Sequence, residues 1–185
     1  MIEIRTHGRG GQGAVVASEI LADAFFREKK YVQAFPAFGV ERRGAPVVSF
    51  TRVSDREIRE RCEIYEPDHL IVLDPVLLDT VNITLGLKEG GWIVINTNRD
   101  LSESELLKKF RIATVDANKI ALKYGLGSRS APIVNTAIVG AFAGATKLVG
   151  LEAVLSSIEE FAPLRKENNR KAAEEAYRTV SFASQ

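Results

Sequence analysis

A glycine-rich turn set between a strand pattern and a helix pattern constrains this chain more than any other feature. Gly8-Arg9-Gly10-Gly11-Gln12-Gly13 follows the apolar positions Ile2 and Ile4, with Thr6, and precedes a helix-like run over residues 14–28. The spacing fits G-x-G-x-x-G, a loop that brings backbone N–H groups and a helix N-terminus up to an anion. Its glycines allow a tight turn, close approach of backbone to ligand, and close helix–strand packing. The same glycines also suit a turn that only packs tightly, and the residues leave both readings open. A nicotinamide dinucleotide is disfavoured. The second strand, Tyr31-Val32-Gln33-Ala34-Phe35, carries no acidic residue to hold a ribose. What remains is a phosphate-bearing ligand of unassigned class.

Apolar periodicity places further elements. Residues 2–6 and 31–35 read as parallel strands joined by a covering helix over 14–28, a βαβ unit. Residues 35–46 form a loop with two prolines, two glycines, the aromatic residues Phe35 and Phe38, and the triplet Glu41-Arg42-Arg43 before Gly44. Aromatic anchors beside arginines suit a binding surface. Arg42 and Arg43 can hold phosphate or carboxylate in bidentate fashion, or pair with Glu41 and face solvent. Residues 47–53 and 58–64 read as a small inserted strand pair. The continuous apolar runs His69–Leu73 and Trp92–Ile95 read as buried parallel strands. Asp74 follows the first run, where its carboxylate suits a helix cap better than a ligand contact. Ser102-x-x-Glu105 matches a capping box, and Asp116 caps a helix over 117–124. Residues 137–145 form a helix of small apolar residues, with Gly140 and Gly144 four apart, so another backbone can approach closely. Amphipathic helices over 151–161 and 168–182 complete an α/β chain whose mostly parallel sheet is flanked by helices.

A chain of 185 residues suits a single domain, 1–185. The net charge of +1 gives no field for nucleic acid. No apolar run approaches a membrane span and no leader pattern opens the chain, so a cytoplasmic protein is expected. One cysteine, Cys62, and two histidines, His7 and His69, cannot furnish an iron–sulfur cluster or a structural zinc site. Cys62 is expected to be an inert, half-buried thiol. No nucleophile–base motif or P-loop is present. The histidines read as strand-end polar residues, and no catalytic residue is assigned.

Several blocks recur in a recognisable order: His-Gly-Arg-Gly-Gly-Gln-Gly at 7–13, Gln33-Ala34-Phe35-Pro36, Glu41-Arg42-Arg43-Gly44-Ala45-Pro46, Pro67-Asp68, Leu73-Asp74-Pro75, Asn96-Thr97, Asp116-Ala117 and Asn135-Thr136-Ala137. Over nearly the whole chain this resembles the gamma subunit of 2-oxoacid:ferredoxin oxidoreductases of the pyruvate/2-ketoisovalerate type. The resemblance implies a Rossmann-like domain in a complex that decarboxylates a 2-oxoacid on thiamine diphosphate, passes electrons through iron–sulfur clusters to ferredoxin, and releases an acyl-coenzyme A. It implies that no cofactor is held by this chain alone. Clusters and thiamine diphosphate are expected on partners of alpha, beta and delta type, ferredoxin is met only indirectly, and the whole complex is expected to dimerise. Coenzyme A is the shared ligand expected at Gly8, Arg9, Gly10, Gly11, Gln12 and Gly13. Phe35, Phe38, Glu41, Arg42, Arg43 and Gly44 are expected at an interface or ligand contact. Pyruvate is the expected substrate, with 2-ketoisovalerate and 2-oxoglutarate as alternatives. A free-standing nucleotide-binding regulatory module stays open as a reading of another class.

Overall fold

The computed structural model describes residues 1–37 and 44–183. Phe38, Glu41, Arg42 and Arg43 lie outside the described residues. The strands are β1 (Ile2–Arg9), β2 (Tyr31–Pro36), β3 (Pro46–Ser54), β4 (His69–Val72), β5 (Trp92–Asn96), β6 (Arg111–Val115), β7 (Gly127–Ser128), β8 (Ala131–Pro132) and β9 (Ser181–Ala183). The helices are α1 (Ala14–Arg27), α2 (Leu77–Thr80), α3 (Ala117–Lys123), α4 (Asn135–Thr146), α5 (Leu151–Phe161) and α6 (Lys166–Thr179), with a 3-10 turn at Glu105–Lys108. Seven strands form one mixed sheet in the order β2-β3-β1-β4-β5-β6-β9, and β7 and β8 make a small hairpin.

Period-2 alternation in the central strands builds two cores. Ile71 and Leu73 of the β4 run, with Val94 and Ala113, face a layer that includes α1, α4, α5 and α6. Leu70, Val72, Ile93, Ile95 and Ile112 face the opposite side, covered by Leu77 of α2, Ile83 and Leu87. Pairs β1–β4, β4–β5 and β5–β6 are parallel, which explains their continuous apolar character.

The flank beyond β1 differs from the expected arrangement. Residues 46–54 do not form an inserted pair with 58–64. Instead β3 enters the main sheet, antiparallel to both β1 and β2. β1 and β2 therefore run in the same direction across α1, as a βαβ unit requires, but β3 lies between them. Burial accounts for this: β3 contributes Val47, Phe50 and Val53 to the interior, whereas β2 is at most half-buried and suits an edge. Residues 58–64 form no strand. Arg52 takes the place of ladder bonds. Its guanidinium is 1% exposed and donates to Glu3 Oε1 at 2.8 Å and to the Glu63 carbonyl at 3.3 Å. It also approaches Cys62 Sγ at 3.6 Å, but Cys62 is exposed, not half-buried as expected.

Other local differences have local causes. Ser104, not Ser102, caps the 3-10 turn by accepting from the Leu106 N–H. The last helix stops at Thr179, and residues 181–183 pair antiparallel with β6. Asp116 caps α3 as expected, accepting from the Lys119 N–H at 2.9 Å.

The small-residue helix α4 is central to the helical layer. Thr136, Gly140 and Gly144 form one i, i+4, i+8 row, opposite Asn169, Ala173 and Tyr177 of α6. Thr136 Oγ1 donates to Asn169 Oδ1 at 2.9 Å. A Cβ at Gly140 would overlap the Ala173 carbonyl oxygen, and one at Gly144 would lie 2.5 Å from the Tyr177 oxygen. Gly140→Ala gains about 1 kcal/mol in helix propensity, but forcing α6 outward costs roughly 1–3 kcal/mol. Urea unfolding of the purified chain should therefore give a lower midpoint for Gly140→Ala. An unchanged or higher midpoint would contradict this packing.

Candidate functional site

From β1 the chain passes through α1 on the helical face towards β2. From β4 it passes through α2 on the other face towards β5. Connections thus diverge between β1 and β4, and open α/β sheets bind ligands in the crevice outside the strand ends at such a point. A cleft of about 550 Å³ opens here. Arg9–Gln12 line it after β1, Leu73–Pro75 after β4, and Asn96 at the end of β5. Asn118 of α3 and the hairpin residues Arg129–Pro132 form the far wall.

Asp74 shapes the near wall. Its buried carboxylate accepts from Arg9 Nε at 2.6 Å and Gln12 Nε2 at 2.7 Å through Oδ2, and from the Val76 N–H at 3.0 Å through Oδ1. Asp74 therefore makes an Asx-type turn two residues before the N-cap position, Val76, and the helix itself begins at Leu77 without a side-chain cap. Gln12 closes the loop on itself, because its Oε1 accepts from the Arg9 N–H at 2.8 Å. The two sequence blocks meet directly: the Gly10 N–H donates to the Ala45 carbonyl at 2.9 Å and the Gly44 N–H to the Gly10 carbonyl at 3.1 Å.

The six loop residues divide by position. Arg9, Gly10, Gly11 and Gln12 line the cleft. Gly11, at φ +96°, has nothing within 4 Å of where a Cβ would stand. Gly8 and Gly13 face inward instead: their Cβ atoms would meet Ala14 Cβ at 3.1 Å and Asn135 Nδ2 at 2.7 Å. Gly13, at φ 78°, is the N-cap of α1 and provides no side-chain cap, so no side chain there occupies the first-turn N–H groups. Gly44 joins the cleft lining. Phe35 lies away from that lining, 5.1 Å from the Phe50 ring and beneath Arg52 at 5.4 Å. Arg129 and Asn118 also line the cleft, and no local sequence pattern marks either as a ligand residue. Arg129 is exposed at the hairpin tip and has no ion pair among the described residues. Beyond the base of the same hairpin lies a more apolar cavity of about 340 Å³ between Val16, Ile20, Leu126 and Ile133. Among the described residues no group of three or more His, Cys, Asp or Glu could hold a metal ion.

His7 is buried on β1 just before the loop. Its Nε2 accepts from Arg5 Nε at 3.0 Å, and Arg5 also donates to the Ile83 and Leu85 carbonyls. Burial first, and the Arg5 charge second, push the His7 pKa down to about 3. The ring is neutral at pH 7 with its lone pair engaged, an arrangement suited to structure and not to proton transfer. The unfolded chain takes up this proton near pH 6.5, so the stabilisation is complete above pH 6.5 and is lost as pH falls towards about 3. His7→Gln should flatten the loss of stability between pH 6.5 and 4 by up to about 1.4 kcal/mol per pH unit. Urea titrations at several pH values check this, and parallel slopes for both proteins would refute it.

Comparison with known proteins places this geometry in a family. The family model described as pyruvate ferredoxin/flavodoxin oxidoreductase matches residues 3–179. The chain is 58% identical to the pyruvate/ketoisovalerate oxidoreductases common subunit gamma of Thermococcus kodakarensis, covering 98% of this chain and 99% of that one. It is 55% identical to pyruvate synthase subunit PorC of Methanocaldococcus jannaschii, covering 96% of each. The crystal structure of the pyruvate oxidoreductase subunit PORC from Thermotoga maritima superimposes with a TM-score of 0.82 at 36% identity, over 99% of this chain and 98% of that chain. The chain belongs to the pyruvate ferredoxin/flavodoxin oxidoreductase family, as a subunit of the gamma type.

Proposed function

We propose that this chain is the non-cluster subunit of a pyruvate:ferredoxin oxidoreductase complex, that it helps to receive coenzyme A, and that it helps to hold the complex together. The observation that carries the coenzyme A reading is the cleft itself. Gly10 and Gly11, in the loop that leads into α1, line it together with Arg129, and the first turn of α1 has no side-chain cap. Backbone N–H groups and a helix N-terminus favour phosphate, and an arginine adds a bidentate donor. Thiamine diphosphate and iron–sulfur clusters supply the decarboxylation and electron-transfer chemistry, and both belong on partner subunits. This chain's own residues bind and orient. Arg9 acts mainly on the loop, since its Nε is already committed to Asp74.

Magnitudes support a shared site. A helix N-terminus contributes about 0.3–1 kcal/mol, and up to about 2 in favourable geometry. Micromolar affinity needs about 8 kcal/mol. Another subunit therefore completes the site, and the isolated chain binds coenzyme A weakly and is inactive. Exposed Phe26, Tyr31, Tyr65, Leu85 and Leu164 offer apolar contacts for such partners. No described helix is long and apolar enough to cross a membrane, which fits a complex working in the cytoplasm. The Thermococcus kodakarensis relative is named as common to pyruvate and ketoisovalerate oxidoreductases. One gamma chain serving two complexes follows naturally if partners carry the 2-oxoacid pocket. Relatives named as subunits leave the free-standing regulatory module without support.

Gly11→Asp tests the site in the assembled complex. The side chain meets no atom within 4 Å, although φ +96° strains any L residue there, and it puts a carboxylate where the phosphate would lie, so the KM for pyruvate serves as the control for loop distortion. The KM for coenzyme A should rise about tenfold or more, while the KM for pyruvate stays within about twofold. An unchanged KM for coenzyme A in an intact complex would reject the reading.

A further inference from the structure

The main sheet ends in β2, and the outer edge of that strand has no partner among the described residues. One bond sets the hydrogen-bond phase of β2. The Ala37 N–H donates to the Val48 carbonyl at 2.8 Å, one step beyond the Pro36–Ser49 pair. Bonded positions alternate along an antiparallel pair, so Phe35, Gln33 and Tyr31 bond inward to β3. Val32, Ala34 and Pro36 therefore turn their main-chain groups out of the sheet. Pro36 has no N–H to leave unmet there, whereas Val32 and Ala34 each present a donor and an acceptor. Sheet edges are ordinarily blunted by charge or by a bulge. Tyr31–Pro36 carries no charged residue, and its register with β3 is unbroken.

We propose that the β2 edge docks a second copy of this chain, as an antiparallel strand pair across a twofold axis beside Gln33. The inference does not depend on the ligand of the cleft. Self-pairing fits the outward phase: Val32 stands opposite Ala34 of the second copy and Ala34 opposite its Val32, so both main-chain bonds of each pair close. A one-residue shift would set these groups against ones already bonded to β3. A two-residue shift would set Ala34 against Lys30, whose N–H already bonds the Phe25 carbonyl, or Val32 against Pro36. On the face away from α1, where Phe35 packs on Phe50, exposed Tyr31 meets Phe35 of the second copy at each end of the pair. On the α1 face, exposed Phe26 borders Tyr31 and Val32, and Ala34 is exposed. Charge does not oppose the contact. The two Lys30 residues stand about 20 Å apart along the strands, beyond the screening length of about 8 Å, and each is paired with Asp55. One strand pair with flanking aromatics is a small interface, so the dimer is concentration-dependent.

The test is register-specific cross-linking of the full chain, in a Cys62→Ser background that removes the native thiol. Gln33→Cys sets two sulfurs across the axis and should give mainly a disulfide-linked dimer on mild oxidation. Tyr31→Cys sets its sulfurs about 14 Å apart and should stay monomeric under the same conditions. Sedimentation equilibrium gives the second readout. Ala34→Pro deletes only an outward N–H and leaves the ladder to β3 intact, and it should weaken dimerisation about tenfold or more. A wild-type chain that stays monomeric up to about 1 mM, or equal cross-linking of the two cysteine variants, would overturn the proposal. So would amides of Val32 and Ala34 that are protected from exchange only in the assembled complex, which gives the edge to a different subunit. The cysteine comparison decides the question even if Ala34→Pro fails to fold.

Discussion

One buried carboxylate organises the cleft. Asp74, 5% exposed at the end of β4, binds Arg9 and Gln12 from the glycine loop and the Val76 N–H from its own chain. It ties the loop after β1 to the loop after β4, on either side of the point where the connections diverge. The charge on Arg9 balances a carboxylate that would otherwise be buried alone, and the bond from Gln12 uses a further lone pair. Neighbouring contacts extend the arrangement: Leu73 presents its carbonyl to Asn96, and Gly10 bonds to both Gly44 and Ala45. Residues far apart in the chain thereby form one rigid edge, as a binding site requires.

Beneath that edge the fold is held by close approach of backbones. The glycines of α4 let α6 sit against it, and Gly13 lets α1 begin against Asn135 at the start of α4. The glycine loop, α1, α4 and α6 are therefore positioned by successive contacts with little slack. In the proposed reading another subunit completes the cleft, and such stiffness would hold this chain's half of it in a fixed geometry.

Local signals in the sequence were sufficient for much of this. The glycine spacing located the loop, continuous apolar runs located β4 and β5, small residues located the buried helix, and Asp116 capped α3. What local patterns missed depends on distant partners. The alternating residues of β3 are compatible with a hairpin insertion, and only pairing with eight consecutive positions of β1 makes it internal. Residues 58–64 look like an edge strand until the buried Arg52 guanidinium is seen to bind their backbone. β9 is three residues of edge pairing after a helix, too short for a periodic pattern. Asp74 looks like a simple cap in sequence, because a single sequence does not show that Arg9 and Gln12 converge on it. Asn96 stands in a polar triplet at a strand end, and its bonds to Leu73 and Asn118 are visible only in the fold.

The most direct test of the central claim is amide hydrogen exchange on the intact complex, with and without coenzyme A. Saturating coenzyme A should slow exchange at residues 10–16, the loop and first turn of α1, with smaller protection in the 127–132 hairpin, while α5 and α6 exchange as before. Unchanged exchange at residues 10–16, in a complex that demonstrably binds coenzyme A, would contradict the claim and place the ligand on another subunit.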